Sequence, residues 1–215
     1  EILTCDWSSD VCSSDLELSI VLIIIGLLIA GVSSGSKLIG HAKLRTVIKD
    51  YNTYKNAYNT FYLTYDVLPG DMSAADALAF FAVVNKDALY CAKTEEDGVL
   101  IANSEGPMAF WHMMLAGLIY GSYDGEYEVT EVSGVNVGSS SYSDTAAFNF
   151  LTLGENCNML GWGSDSIYEI SGKNILLFGE IGPDGSSNGG FVNYAALKPL
   201  NAYNVDNKLD DGEIG

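Results

Sequence analysis

Two hydrophobic rhythms follow one another along this chain. Residues 18–32 read LSIVLIIIGLLIAGV, broken in apolar character only by Ser19, and no charge falls between Glu17 and Lys37. Nineteen uncharged helical residues at about 1.5 Å each span roughly 28 Å, close to the ~30 Å hydrocarbon layer of a bilayer. A buried core helix or strand is the competing reading of such a run. The continuation favours a membrane segment. Leu44, Val47, Ile48, Tyr51, Tyr54, Tyr58, Phe61, Tyr62 and Tyr65 recur at three- and four-residue spacing, with Lys43, Arg45, Lys49, Asp50 and Lys55 between them. That is the pattern of a helix apolar on one side. Pro69 is the first proline, so one helix is expected from about residue 16 to residue 65. Its aromatic stripe reads as a core-facing side, and Pro69-Gly70-Asp71 as the turn that ends it.

Past that turn the helical period is lost. Residues 74–84 (AADALAFFAVV) and 107–120 (PMAFWHMMLAGLIY) read as short helices, the second with proline at a tolerated N-terminal place. Residues 126–132 alternate with period two, while 167–170, 174–181 and 191–194 are short runs bounded by Gly, Asp and Ser, and all four are read as strands. Residues 138–143 and 182–190 are loops by composition. The expected fold class is α+β: a long N-terminal helix, apolar in its membrane half (16–36) and amphipathic in 37–66, packed on a domain (67–215) of short helices and an antiparallel sheet.

Charge sharpens this division. Residues 1–36 carry five acids and no base, residues 37–65 five bases and one acid, and the remainder 22 acids against five bases, for a net charge of −18. So acidic a chain is not expected to bind nucleic acid, whose phosphates need basic surface. With two histidines and no HExxH, GxSxG or GxxxxGK[ST] pattern, no common catalytic signature is filled and no enzyme is expected. His41 and His112 have no companions at ligand or triad spacing, and His112 is expected to sit on a helix with a backbone partner. Trp111 and Trp162 read as core or interface anchors.

A glutamate followed at once by an apolar run ending in small residues, ELSIVLIIIGLLIAGV at 17–32, resembles the prepilin-type N-terminal segment of type IV pilins and type II secretion pseudopilins. Residues 44–72 resemble the amphipathic half of that family's helix and the turn after it. The stretches at 109–123 and 202–212 are similar to segments of a bacterial pilin-like subgroup. The resemblance covers the first third well and the remainder in patches. It implies a filament subunit, homo- or hetero-assembled with other pilins or pseudopilins and handled by prepilin peptidase and an inner-membrane assembly platform. Its place would be a single-pass inner-membrane anchor with the C-terminal domain in the periplasm. Glu17 would neutralise the N-terminal amine of a neighbouring subunit, and Gly26, Ala30, Gly31 and Gly35 would supply a small-residue face for close helix packing.

The family pattern of a basic leader, Gly at the cleavage point and Phe as first mature residue is not met. Counting back from Glu17 places Ser13 first and Cys12 at the Gly. Residues 5–16, CDWSSDVCSSDL, look like the in-frame translation of a common sequencing adapter. The leader is therefore expected to have been overwritten and residues 1 to about 15 to carry no biology; the basic flank at 37–55 then does not dictate a cytoplasmic domain by the positive-inside rule. The chain is likewise expected to stop short of the family's usual C-terminus.

Setting Cys5 and Cys12 aside leaves one possible disulfide, Cys91 with Cys157, closing some 65 residues and contributing about 3–4 kcal/mol in an oxidising periplasm. Two buried free thiols is the other reading. Asp206, Asp210 and Asp211 cluster near the C-terminus, where close carboxylates suit Ca²⁺, and some pseudopilins resemble this in holding calcium on a C-terminal loop. The bland reading is an acidic, solvated turn. Three function classes stand: a filament subunit, a monomeric membrane-anchored periplasmic binding module, and a membrane-anchored hydrolase.

Overall fold

The computed structural model describes residues 8–82, 98–100, 105–126, 132–153, 173–181 and 194–209; among residues 8–16 only the backbone is described. The fold is α+β. It divides into two units, Glu1–Lys43 and Leu44–Gly215. Helix α1, Ser8–Tyr65, runs through the boundary between them. Its end falls where the sequence puts it, and its start lies eight residues earlier than expected. Nothing in residues 8–15 breaks a helix, and Ser and Asp are favoured in a first turn.

In the first unit the described side chains from Glu17 to Ser34 are all exposed. From Leu18 to Val32 the eleven large aliphatic residues are 46–72% exposed, and the helix is long and apolar enough to cross a membrane.

In the second unit the chain leaves α1 through Asp66, which takes a left-handed conformation (φ 58°) and donates its amide to the Tyr62 carbonyl. Leu68-Pro69-Gly70-Asp71 then closes a turn, Asp71 N–H to Leu68 C=O at 3.2 Å. Proline presets the first corner, and Gly70 supplies the positive φ (95°) of the second, the signature of a type II turn. Helix α2, Ala74–Phe81, starts on a Ser73 cap that accepts from the Asp76 amide. Helix α3, Glu105–Leu115, stops at Gly117 (φ 71°). There the amides of Gly117 and Leu118 return to the carbonyls of Met114 and Met113, a Schellman closure. The sheet has the order β1 (Gly138–Ser139), β2 (Ala146–Leu153), β3 (Lys173–Glu180), all antiparallel. Helix α4, Pro199–Leu209, closes the described chain.

The core lies where α1, α3 and β2 meet. Val47, Tyr54, Ala57 and Phe61 on α1 join Ala109, Phe110 and Met113 on α3 and Phe148 and Phe150 on β2. Rings do most of the packing: Tyr54 meets Phe110 edge-on at 5.2 Å and Phe148 at 5.3 Å, and Tyr58 stacks on Phe150 at 5.1 Å. The other side of β2 packs Ala147 with Val137, Leu177 and Ile181.

Several expectations are corrected. Helix α2 is described to Phe81, because Ala82 turns left-handed, and α3 stops at Leu115, ahead of residue 120. Residues 138 and 139, read as loop, form strand β1. Strand β2 and helix α4 were not expected. The expected strand at 174–181 is β3, and Tyr194 bridges to Glu180; residues 127–131 of the strand expected at 126–132, and the strand expected at 167–170, lie outside the described residues. On α1, Tyr62 is exposed and Ala57 takes the buried place. Phe61→Ala is expected to cost about 3–5 kcal/mol of unfolding free energy, and Leu63→Ala, two residues on and 83% exposed, less than about 0.5 kcal/mol, as read by chemical denaturation in detergent.

Candidate functional site

Glu17 is exposed on α1, one residue before the apolar run. A carboxylate there is tolerable at an interface and expensive inside hydrocarbon. Leaving the eleven exposed aliphatic side chains in water rather than burying them costs about 1.5–3 kcal/mol each, so water is a costly neighbour for this surface.

The four small residues do not make the single face expected of them. At 100° per residue, Gly26 and Ala30 share one side of the helix, while Gly31 and Gly35 share another roughly 140° round. No atom lies within 4 Å of where a Cβ would stand on Gly26, Gly31 or Gly35. Two small-xxx-small pairs therefore leave the backbone open on two sides of the helix.

In the second unit the ionisable group best placed to report on folding is His112. It is fully buried on α3, between the rings of Phe61 at 6.1 Å and Phe81 at 6.2 Å. Its Nδ1 accepts the Gly70 amide at 3.0 Å, the backbone partner expected of it. Burial holds the imidazole neutral, its pKa lowered from 6.5 to about 4. The bond pins the type II turn to α3, and a Cβ on Gly70 would stand 2.3 Å from the Glu105 carbonyl oxygen.

Further polar contacts tie distant segments together. Tyr54 Oη donates to the Ser139 carbonyl at 2.8 Å and lies 3.3 Å from Tyr123 Oη. Asn174 reaches Tyr58 Oη and the Gly98 carbonyl through its Nδ2, while its Oδ1 accepts from Thr152 and from the Leu100 amide. Asp71 accepts the Gly98 amide at 2.8 Å. These partners are 22 to 116 residues apart, so no local pattern announces them.

The remaining candidates separate. Cys91 and Cys157 lie outside the described residues, as do Asp210, Asp211 and Trp162. Asp206 sits on α4, not in an acidic turn: Pro199 opens that helix, and Val205 packs into the core. Among the described residues no group of three or more His, Cys, Asp or Glu is placed to hold a metal. His41 is exposed and Trp111 half-buried.

Searches against family models, curated proteins and solved structures return no match.

The His112 geometry sets a pH dependence. An unfolded imidazole takes up a proton near pH 6.5 and the folded one only near pH 4, so between those values the unfolded chain binds more protons. Stability is full above pH 6.5 and falls as pH drops towards 4, by about 3 kcal/mol from this group. His112→Asn, which keeps an acceptor for the Gly70 amide and does not titrate, is expected to flatten that part of the acid limb in denaturation measured from pH 7 to pH 4.

Proposed function

We propose that this chain is a structural subunit of a type IV pilus or type II secretion pseudopilus, which assembles through α1 after prepilin peptidase has removed a leader. One observation carries the reading: an apolar run from Leu18 to Val32, exposed on every side, headed by Glu17 and continuous with an amphipathic helix whose aromatic side holds a folded domain. A bilayer covers that run before assembly, with a single pass through the inner membrane and the acidic domain in the periplasm. Other subunits cover it afterwards.

Leaving lipid for protein gains little from the hydrophobic effect, because both surroundings are apolar. Packing, polar pairing and close backbone approach must therefore drive the step. The two small-residue pairs serve close approach. Glu17 serves polar pairing, since a carboxylate moved from the interface into a bundle must meet a cation, and the N-terminal amine of a neighbouring subunit supplies one. That pairing also sets how far one subunit is displaced from the next. The membrane-anchored binding module differs in keeping the run in lipid permanently.

Expressed behind a prepilin leader with a peptidase and assembly platform, the chain is expected in shear-released filaments. Glu17→Ala is expected to lower the released fraction at least about tenfold, the loss of roughly one charge-assisted pair, while carbonate-resistant membrane insertion is unchanged. Unaltered chain that inserts fully and is never released would instead identify the permanent anchor.

A further inference from the structure

Four of the five methionines fall within the described residues, and their surroundings differ. Met72, Met108 and Met113 are 0–1% exposed. Met114 is half-buried on α3 and packs against the core from its edge. Its Sδ accepts the amide of Tyr123, nine residues on, at 3.2 Å. A thioether is a weak acceptor, so a small chemical change at that sulfur is enough to end the bond.

The bond holds a segment on which part of the core depends. After Gly117 the chain runs back along α3. Trp111, one turn before Met114, stands 3.2 Å from where a Cβ on Gly125 would lie, and Gly125 takes a φ of 67°. Met114 and Trp111 therefore seat residues 123–125 against one side of α3. Tyr123 in turn points its ring inward, 5.5 Å from Phe110, and sets its Oη 3.3 Å from Tyr54 Oη. The Asp124 amide goes on to the Val135 carbonyl at 2.9 Å.

We propose that Met114 is an oxidation site and that its thioether is an oxidant-sensitive latch on the segment around Tyr123. Hydrogen peroxide transfers one oxygen atom to the sulfur. The S–O bond forms as the O–O bond breaks, sulfur gives up two electrons, and the peroxide leaves as water. The sulfur that accepted the Tyr123 amide then carries partial positive charge, and an apolar side chain at the edge of the core has become polar. Both changes loosen Tyr123 from α3 and, through it, the contact with Tyr54. Met72, Met108 and Met113 hold the same chemical group but are shut away from the oxidant. The inference goes beyond filament assembly and needs only the fold of the second unit.

The test treats the full chain, held in detergent, with hydrogen peroxide. Sulfoxide is read by peptide mass spectrometry and backbone opening by hydrogen–deuterium exchange. Met114 is expected to convert at least about tenfold faster than Met72, Met108 and Met113. Exchange in the peptide that holds Tyr123 is expected to rise at least about tenfold in step with that conversion. In Met114→Leu, which keeps an apolar side chain of similar volume without the sulfur, peroxide is expected to leave exchange there unchanged. Conversion of Met114 no faster than of the three buried methionines overturns the proposal on the unaltered chain alone. So does Met114 sulfoxide with exchange at Tyr123 unmoved. A peroxide response that persists in Met114→Leu also overturns it, by placing the sensitive group elsewhere.

Discussion

Eleven large aliphatic side chains on one stretch of helix, each about half exposed or more, set the terms on which this chain exists, because water is a costly neighbour for all of them at once. Every residue near the run follows from that constraint. Glu17 marks where the run begins, since a carboxylate stays at a wet boundary or finds a cation. Lys37 marks where it ends. The absence of charge between them lets the helix be covered by lipid or by other apolar helices, and the small residues on two of its sides decide how near such helices can come.

The second half of α1 meets the same demand inside its own domain. Its apolar side is made of rings, and rings reach two layers at once: Tyr54 touches Phe110 on α3 and Phe148 on β2. Glycines let the layers close. A Cβ on Gly106 would stand 2.5 Å from the Phe150 carbonyl oxygen, and one on Gly138 would stand 2.5 Å from the Phe110 ring. Helix α3 is thus seated against the sheet at backbone distance, and the turn after α1 is bonded to α3 through His112. On the filament reading, α1 is held to its domain by this aromatic core and to its neighbours by the aliphatic run.

Elements with a strong period or strong punctuation were legible in the sequence. The end of α1 at Tyr65, the Pro69-Gly70 turn, the cores of α2 and α3 and strand β3 all carry such signals. Strand β2 was missed because AAFNFLTL does not alternate: Ala146 to Leu151 are buried in succession, as suits a strand paired on both edges and packed on both faces. Helix α4 was hidden by Asp206 and three asparagines, which read as a turn until Val205 is seen in the core. Among the candidate site residues, Glu17 and the apolar run were legible because their chemistry is local. The contacts of Asn174 and Tyr54 were not, since they join strands and loops remote in sequence.

The central claim is that the run from Leu18 to Val32 exchanges lipid for copies of itself. The most direct measurement is the phospholipid-to-protein ratio of shear-released, high-mass material from cells carrying the leader-bearing chain, its peptidase and its platform. Ordered multimers with less than about one lipid per chain are the predicted result, since subunit packing would have replaced the bilayer. Chain recovered solely with membrane, at bilayer lipid ratios and as a monomer, would contradict it.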